Sequence, residues 1–103
     1  MEFDNNTPIY IQLVEKLKIS IISGKLKPNE RIASVRELAL QKKVNPNTMQ
    51  KALTELENMK LIYTERTNGK FVTNYIKLIN EFKQKYADDL AFNYVKNMKS
   101  LGY

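Results

Sequence analysis

Apolar residues recur along the chain with helical spacing, then with strand spacing, then with helical spacing again. Ile9, Leu13, Leu17 and Ile21 follow one another every fourth residue, with Tyr10 and Ile22 beside the row, which predicts a first helix. Thr7 and Pro8 suit its N-cap and first position, and Gly24 suits the left-handed residue that ends it. Residues 25–30 read as a loop, since Pro28 bars a clean helix there, and Arg31, Ile32 and Ala33 suit a very short strand.

Ser34 and Glu37 stand three apart, the spacing of a capping box, and open a second helix whose apolar side is Val35, Leu38 and Ala39. That helix should fade over residues 41–43. A third follows after a short turn. Asn45 can cap it, and Pro46 suits its first position, where a missing N–H costs nothing. Met49, Ala52, Leu53 and Leu56 then fall at i, i+3, i+4 and i+7, leaving Asn47, Gln50, Lys51 and Thr54 on the other face. Two short helices joined by such a turn form a helix-turn-helix.

After Lys60 the period shortens. Residues 61–64 read as a strand and residues 71–73 as its return, with Asn68-Gly69 between them as a two-residue hairpin turn. Arg66 and Lys70 flank the tip. The fold expected is mainly α with a small β-hairpin: a winged helix-turn-helix over residues 1–74, followed by a helical segment over 75–103. In that segment Ile76, Ile79, Phe82, Tyr86 and Leu90 share one face, which Ala91, Tyr94, Val95, Met98 and Leu101 extend. Asp88-Asp89 either caps a second helix here or lies on the exposed side of one long helix. The apolar stripe either folds back on the core or pairs across a two-fold axis. Five large apolar residues beside a self-sufficient winged helix favour the pairing.

Composition narrows the chemistry. The 103 residues suit one small domain with an appendage, and neither cysteine nor histidine is present. Thiolate, imidazole and disulfide chemistry are therefore excluded, and with them a structural zinc site. No nucleophile–base arrangement or phosphate-cradling glycine loop is present either, so neither an enzyme nor a cofactor is expected. No apolar run is long enough to span a bilayer, and the acidic, polar start MEFDNNTP is unlike a signal peptide, so a cytoplasmic protein is expected. The net charge of +6 favours a polyanionic partner. It is unevenly spread: residues 34–73 carry seven basic and four acidic side chains, against five and four in residues 1–33 and five and three in residues 74–103.

The chain resembles the GntR superfamily of bacterial transcription regulators, and within it the short YtrA-type members. The matching residues are Pro8-Ile9-Tyr10, Gln12, Gly24, Leu26, Pro28, Ser34, Arg36-Glu37-Leu38-Ala39, Val44-Asn45-Pro46-Asn47-Thr48, Ala52, Leu56-Glu57, Leu61-Ile62, Gly69 and Phe71-Val72. They span residues 8–73 in the family's order and spacing. Asn29 and Lys60 stand where the family usually has glycine, Ala33 where it has proline, and Thr67 where the wing has its first glycine. Pro46 stands where many relatives have an arginine. The resemblance implies a DNA contact for Arg36 and a wing role for Gly69. It also implies dimerisation through the helical tail, and for many such proteins a gene beside an ABC transporter.

Residue chemistry and resemblance together give an expected function. It is a bacterial, homodimeric transcription repressor that inserts the helix around residues 46–58 into the major groove, with a basic wing at 66–70. Gln and Asn can pair bidentately with adenine and Lys can reach guanine, so Asn47, Gln50 and Lys51 are the expected readers. Arg36 and Thr48 are expected on phosphates near helix N-termini, and Ser34 and Asn45 mainly as caps at the same surface. Arg66, Gly69 and Lys70 complete the DNA-binding set. The expected dimer interface is Ile76, Ile79, Phe82, Tyr86, Leu90 and Tyr94, which would set two recognition helices about 34–36 Å apart. Operator DNA, a second copy of the chain and an unidentified small-molecule effector are the expected partners, with no membrane. The rival reading is a winged helix that docks on proteins and has only non-specific DNA affinity.

Overall fold

The computed structural model describes residues 6–100, in the order α1 (Ile9–Ile22), α2 (Val35–Lys42), α3 (Pro46–Asn58), β1 (Ile62–Glu65), β2 (Gly69–Val72) and α4 (Ile76–Ser100). This is the winged helix-turn-helix and helical tail that the sequence pattern predicts. The expectations for the acidic start at residues 1–5 and for Leu101 lie outside the described residues.

α1 starts one residue later than expected. Pro8 has φ −52° but an extended ψ of 141°, so it is the N-cap itself, and its carbonyl accepts from the amides of Ile11 and Gln12. Thr7 is not the cap; its carbonyl accepts from the Gln12 side chain at 2.8 Å. Ile9 is 43% exposed, so the buried row of α1 is Leu13, Leu17 and Ile21, joined by Val14 and Ile22. The helix ends at Gly24, φ +84°, as expected.

α2 is capped by Ser34, whose Oγ accepts from the Glu37 amide at 3.1 Å. The Glu37 carboxylate turns back to the Ser34 hydroxyl at 3.2 Å, so the capping box closes through the side chains. α3 is capped by Asn45, whose Oδ1 accepts from the Asn47 amide at 2.7 Å, with Pro46 at its first position. Met49, Ala52, Leu53 and Leu56 are all at most 1% exposed. They pack with Leu13, Leu17, Ile21, Leu61 and Val72 into one core, where each large side chain contributes about 1.5–3 kcal/mol by leaving water.

Both helices of the helix-turn-helix end on a lysine in the left-handed region, Lys43 at φ 57° and Lys60 at φ 67°. After α3 the Lys60 amide donates to the Glu57 carbonyl and the Leu61 amide to the Leu56 carbonyl, while Leu56 and Leu61 are both buried. That is the hydrogen-bond pair and hydrophobic contact of a Schellman ending, normally built on glycine. Asn29, another position where family members carry glycine, also has positive φ, 65°.

The hairpin differs from the expected two-residue turn. β1 and β2 pair Ile62 with Val72, Tyr63 with Phe71, Thr64 with Lys70 and Glu65 with Gly69, so residues 66–68 form a three-residue loop. The Asn68 amide and side chain both bond Glu65, and of the two turn residues Gly69 alone has positive φ, at +104°. A turn followed by a left-handed glycine is the usual three-residue solution. Arg31 bridges Phe71, and Ile32 donates to the Lys70 carbonyl, so the short strand expected at 31–33 is a single bridge on the outer edge of β2.

α4 is one continuous helix of 25 residues, roughly 37 Å long at 1.5 Å per residue. Asp88 and Asp89 lie exposed along it, Asp88 accepting from Gln84 one turn earlier. Thr73, itself 7% exposed, holds the junction: its Oγ1 accepts from the Tyr75 amide.

Candidate nucleic-acid interface

Sealing one side of α3 in the core determines what its other side presents. With Met49, Ala52, Leu53 and Leu56 inward, Asn47, Gln50, Lys51 and Thr54 are exposed together, as expected. Thr48 is half-buried at the edge nearer α1. Two of the long side chains are already held. The Gln50 amide donates to Thr54 Oγ1 at 3.2 Å, and the Lys51 Nζ sits 3.9 Å from the centre of the Tyr10 ring. Arg36, in the first turn of α2, is exposed and has no ion pair among the described residues. Ser34 is a cap first, its hydroxyl engaged with Glu37.

The wing separates its two expected cations. Arg66 is exposed in the loop at the tip. Lys70 is not free in this way: its ammonium bonds the Glu57 carboxylate of α3 and Thr64 Oγ1, the latter at 2.9 Å, with 18% of its side chain exposed. Thr64 also donates to Glu57 at 2.8 Å. Burial by itself would raise the Glu57 pKa. The bonds from Lys70 and Thr64, with the Lys70 charge, outweigh it and hold the carboxyl below its ordinary value. Lys70 thus ties the wing to α3, and the exposed cation of the wing is Arg66.

A further arginine stands beside it. Arg31 Nε donates to the Asn68 carbonyl at 2.8 Å, and a Cβ built on Gly69 would lie 3.2 Å from that nitrogen. Arg31, Ser34, Arg66 and Gly69 line a hollow of about 270 Å³ between the wing and the entry to α2. Sequence reasoning missed Arg31, because its partners are 37 residues away and nothing in its local spacing marks them. It missed the Tyr10–Lys51 contact for the same reason.

The expected dimer face is divided. Ile79 is 7% exposed, and Phe82 and Tyr86 are partly buried against the same core as α1 and α3, the fold-back that the stripe also allows. The reason is geometric: α4 packs along α1. Ile76 at 50%, Leu90 at 53% and Tyr94 at 66% remain exposed, as do Phe92 and Val95. Among the described residues no group of His, Cys, Asp or Glu could hold a metal ion, and no helix is long and apolar enough to cross a membrane.

Comparison with known proteins agrees with this geometry. Residues 9–72 match the family described as bacterial regulatory proteins, gntR family. The chain is 35% identical over 101 residues to the uncharacterized HTH-type transcriptional regulator YhcF of Bacillus subtilis, covering 98% of this chain and 84% of that protein. It is 40% identical over 73 residues to the HTH-type transcriptional repressor YtrA of Bacillus subtilis, covering 71% of this chain and 56% of YtrA. Among solved structures, a GntR family transcriptional regulator from Listeria monocytogenes superimposes with a TM-score of 0.89 at 38% identity, over 97% of this chain and 88% of that one. The AraR DNA-binding domain in complex with operator ORR3 superimposes with a TM-score of 0.63 at 33% identity, over 71% and 86%.

Proposed function

The chain belongs to the gntR family of bacterial regulatory proteins, and from that premise we propose that it represses transcription as a homodimer bound to operator DNA in the cytoplasm. The observation that carries the reading is the exposed polar face of α3. Asn47, Gln50 and Lys51 stand exposed on a helix whose opposite face is closed in the core, and a major groove admits such a helix. Arg36, in the first turn of α2, meets phosphate, and Arg66, with Arg31 beside it, meets the backbone or minor groove. The relative whose printed title describes an operator complex, AraR, supports DNA as the partner, and YtrA, named a repressor, supports the sign.

Residues 1–74 are the DNA-binding domain in this reading, with α4 packed on it as far as Tyr86. The dimer contact lies beyond that point, on the face carrying Leu90, Ala91, Tyr94 and Met98, which recur at helical spacing. Ile76 shares that face, but at the near end of the helix. An effector, where one binds, acts by changing the relative placement of the two DNA-binding heads.

Nuclease footprinting on DNA upstream of the protein's own gene tests the proposal. Two protected half-sites about one helical turn apart are expected. A single protected site, or uniform protection that ignores sequence, contradicts it.

A further inference from the structure

We propose that Tyr10 of α1 is a positioning residue for recognition, holding the Lys51 ammonium in place before DNA arrives. The inference rests on the DNA-binding reading and adds to it an element outside the helix-turn-helix and wing.

The two long polar side chains of α3 point to different sides. At 100° per residue, Gln50 and Glu57, seven apart, lie on nearly the same side of the helix, and Glu57 bonds the wing residues Thr64 and Lys70. Lys51 is turned about 100° from Gln50. With Asn47 and Thr48 it borders a hollow whose other wall is Ile9 and Tyr10 at the start of α1. There the Nζ lies 3.9 Å from the Tyr10 ring centre, well within the range of a cation–π contact. The platform is firm, because Tyr10 is partly buried and packs against the core, whereas Lys51 is exposed.

A lysine head on a four-carbon stem loses much rotamer freedom when it is fixed on a base or phosphate. A head already resting on a ring has lost part of that freedom before binding. DNA closing over the pair also strips water from it, and a cation–π contact is stronger when desolvated. The ring therefore favours the bound arrangement. Its quadrupole does this without the phenol hydroxyl, so phenylalanine should serve as well as tyrosine and leucine should not.

The experiment measures full-length protein binding to upstream DNA by fluorescence anisotropy, against a scrambled duplex. The chains compared are wild type, Tyr10→Phe, Tyr10→Leu, Lys51→Met and Tyr10→Leu/Lys51→Met. Tyr10→Phe should bind like wild type. Tyr10→Leu should lose about two- to thirtyfold in affinity, the range from an exposed to a desolvated pair. In the Lys51→Met background Tyr10→Leu should cost nothing further. In the free protein the ring-current shift on the Lys51 ε-methylene protons should persist in Tyr10→Phe and vanish in Tyr10→Leu, with folding confirmed by thermal melting. An equal loss from Tyr10→Leu with or without Lys51 overturns the positioning role, as does a Tyr10→Phe variant as weak as Tyr10→Leu. Either of those leaves the DNA-binding reading standing. A wild-type chain that does not discriminate the two duplexes overturns both.

Discussion

Arg31 lies against Gly69. Its Nε donates to the carbonyl of Asn68, and a methyl group added at Gly69 would sit 3.2 Å from that nitrogen and 3.3 Å from one Nη. The glycine thus meets two demands, a backbone at φ +104° and room for a guanidinium that fastens the wing tip to the segment entering α2.

Gly69→Ala should therefore cost about 1–3 kcal/mol of stability, the range for a strained left-handed residue, with the crowding against Arg31 added. Urea unfolding followed by circular dichroism reads it. A midpoint equal to that of wild type would mean that the wing relaxes freely and that the close approach constrains nothing.

Glu57 links stability to pH. Its carboxyl is held below the ordinary value in the folded chain, so the unfolded chain takes up the proton first as pH falls. The stabilisation is complete above the unfolded pKa of about 4.3 and is lost as pH drops through the lower folded value. Wild type should lose its stability advantage over Glu57→Gln across that acid window and keep it at neutral pH. Parallel stability–pH curves for the two proteins would show that the Glu57–Lys70 tie contributes nothing.

Lys60 occupies a glycine position. Its φ of 67° closes the Schellman ending of α3, and a left-handed conformation costs a side chain about 1–2 kcal/mol. Lys60→Gly should raise the unfolding midpoint by about 1 kcal/mol equivalent, offset in part by the freer unfolded chain. A lowered midpoint would mean that the lysine side chain makes a stabilising contact of its own.

In the proposed dimer the tail separates packing from assembly. Phe82→Ala should lower the stability of the fold, since Phe82 packs against the core. Leu90→Asp should leave helicity unchanged and convert dimers to monomers in sedimentation velocity, since Leu90 is 53% exposed. Dimers that survive Leu90→Asp would place the interface elsewhere.

The parts of the molecule legible in the sequence are those built from near neighbours. Ser34 and Glu37, Asn45 and Asn47, and the row Met49, Ala52, Leu53, Leu56 lie within one or two helical turns, so spacing alone defines their geometry. The hairpin was legible as a hairpin. Its turn type was not, because Asn68-Gly69 suits a two-residue loop equally well and the pairing of Glu65 with Gly69 decides the matter. Contacts between distant segments were invisible: Arg31 with Asn68, Lys51 with Tyr10, Lys70 with Glu57. The division of the α4 stripe was hidden too, since periodicity gives a helix an apolar face without saying which turns meet α1 and which stay free.

The exposed face of α3 is proposed to read sequence. The most direct test measures wild type and Gln50→Ala on upstream DNA and on a scrambled duplex of equal length, across a salt series. Wild type should prefer upstream DNA, with a preference that persists as salt rises and falls by about 1–3 kcal/mol in Gln50→Ala. Equal binding of both duplexes, vanishing together as salt rises, would leave only charge attraction and contradict it.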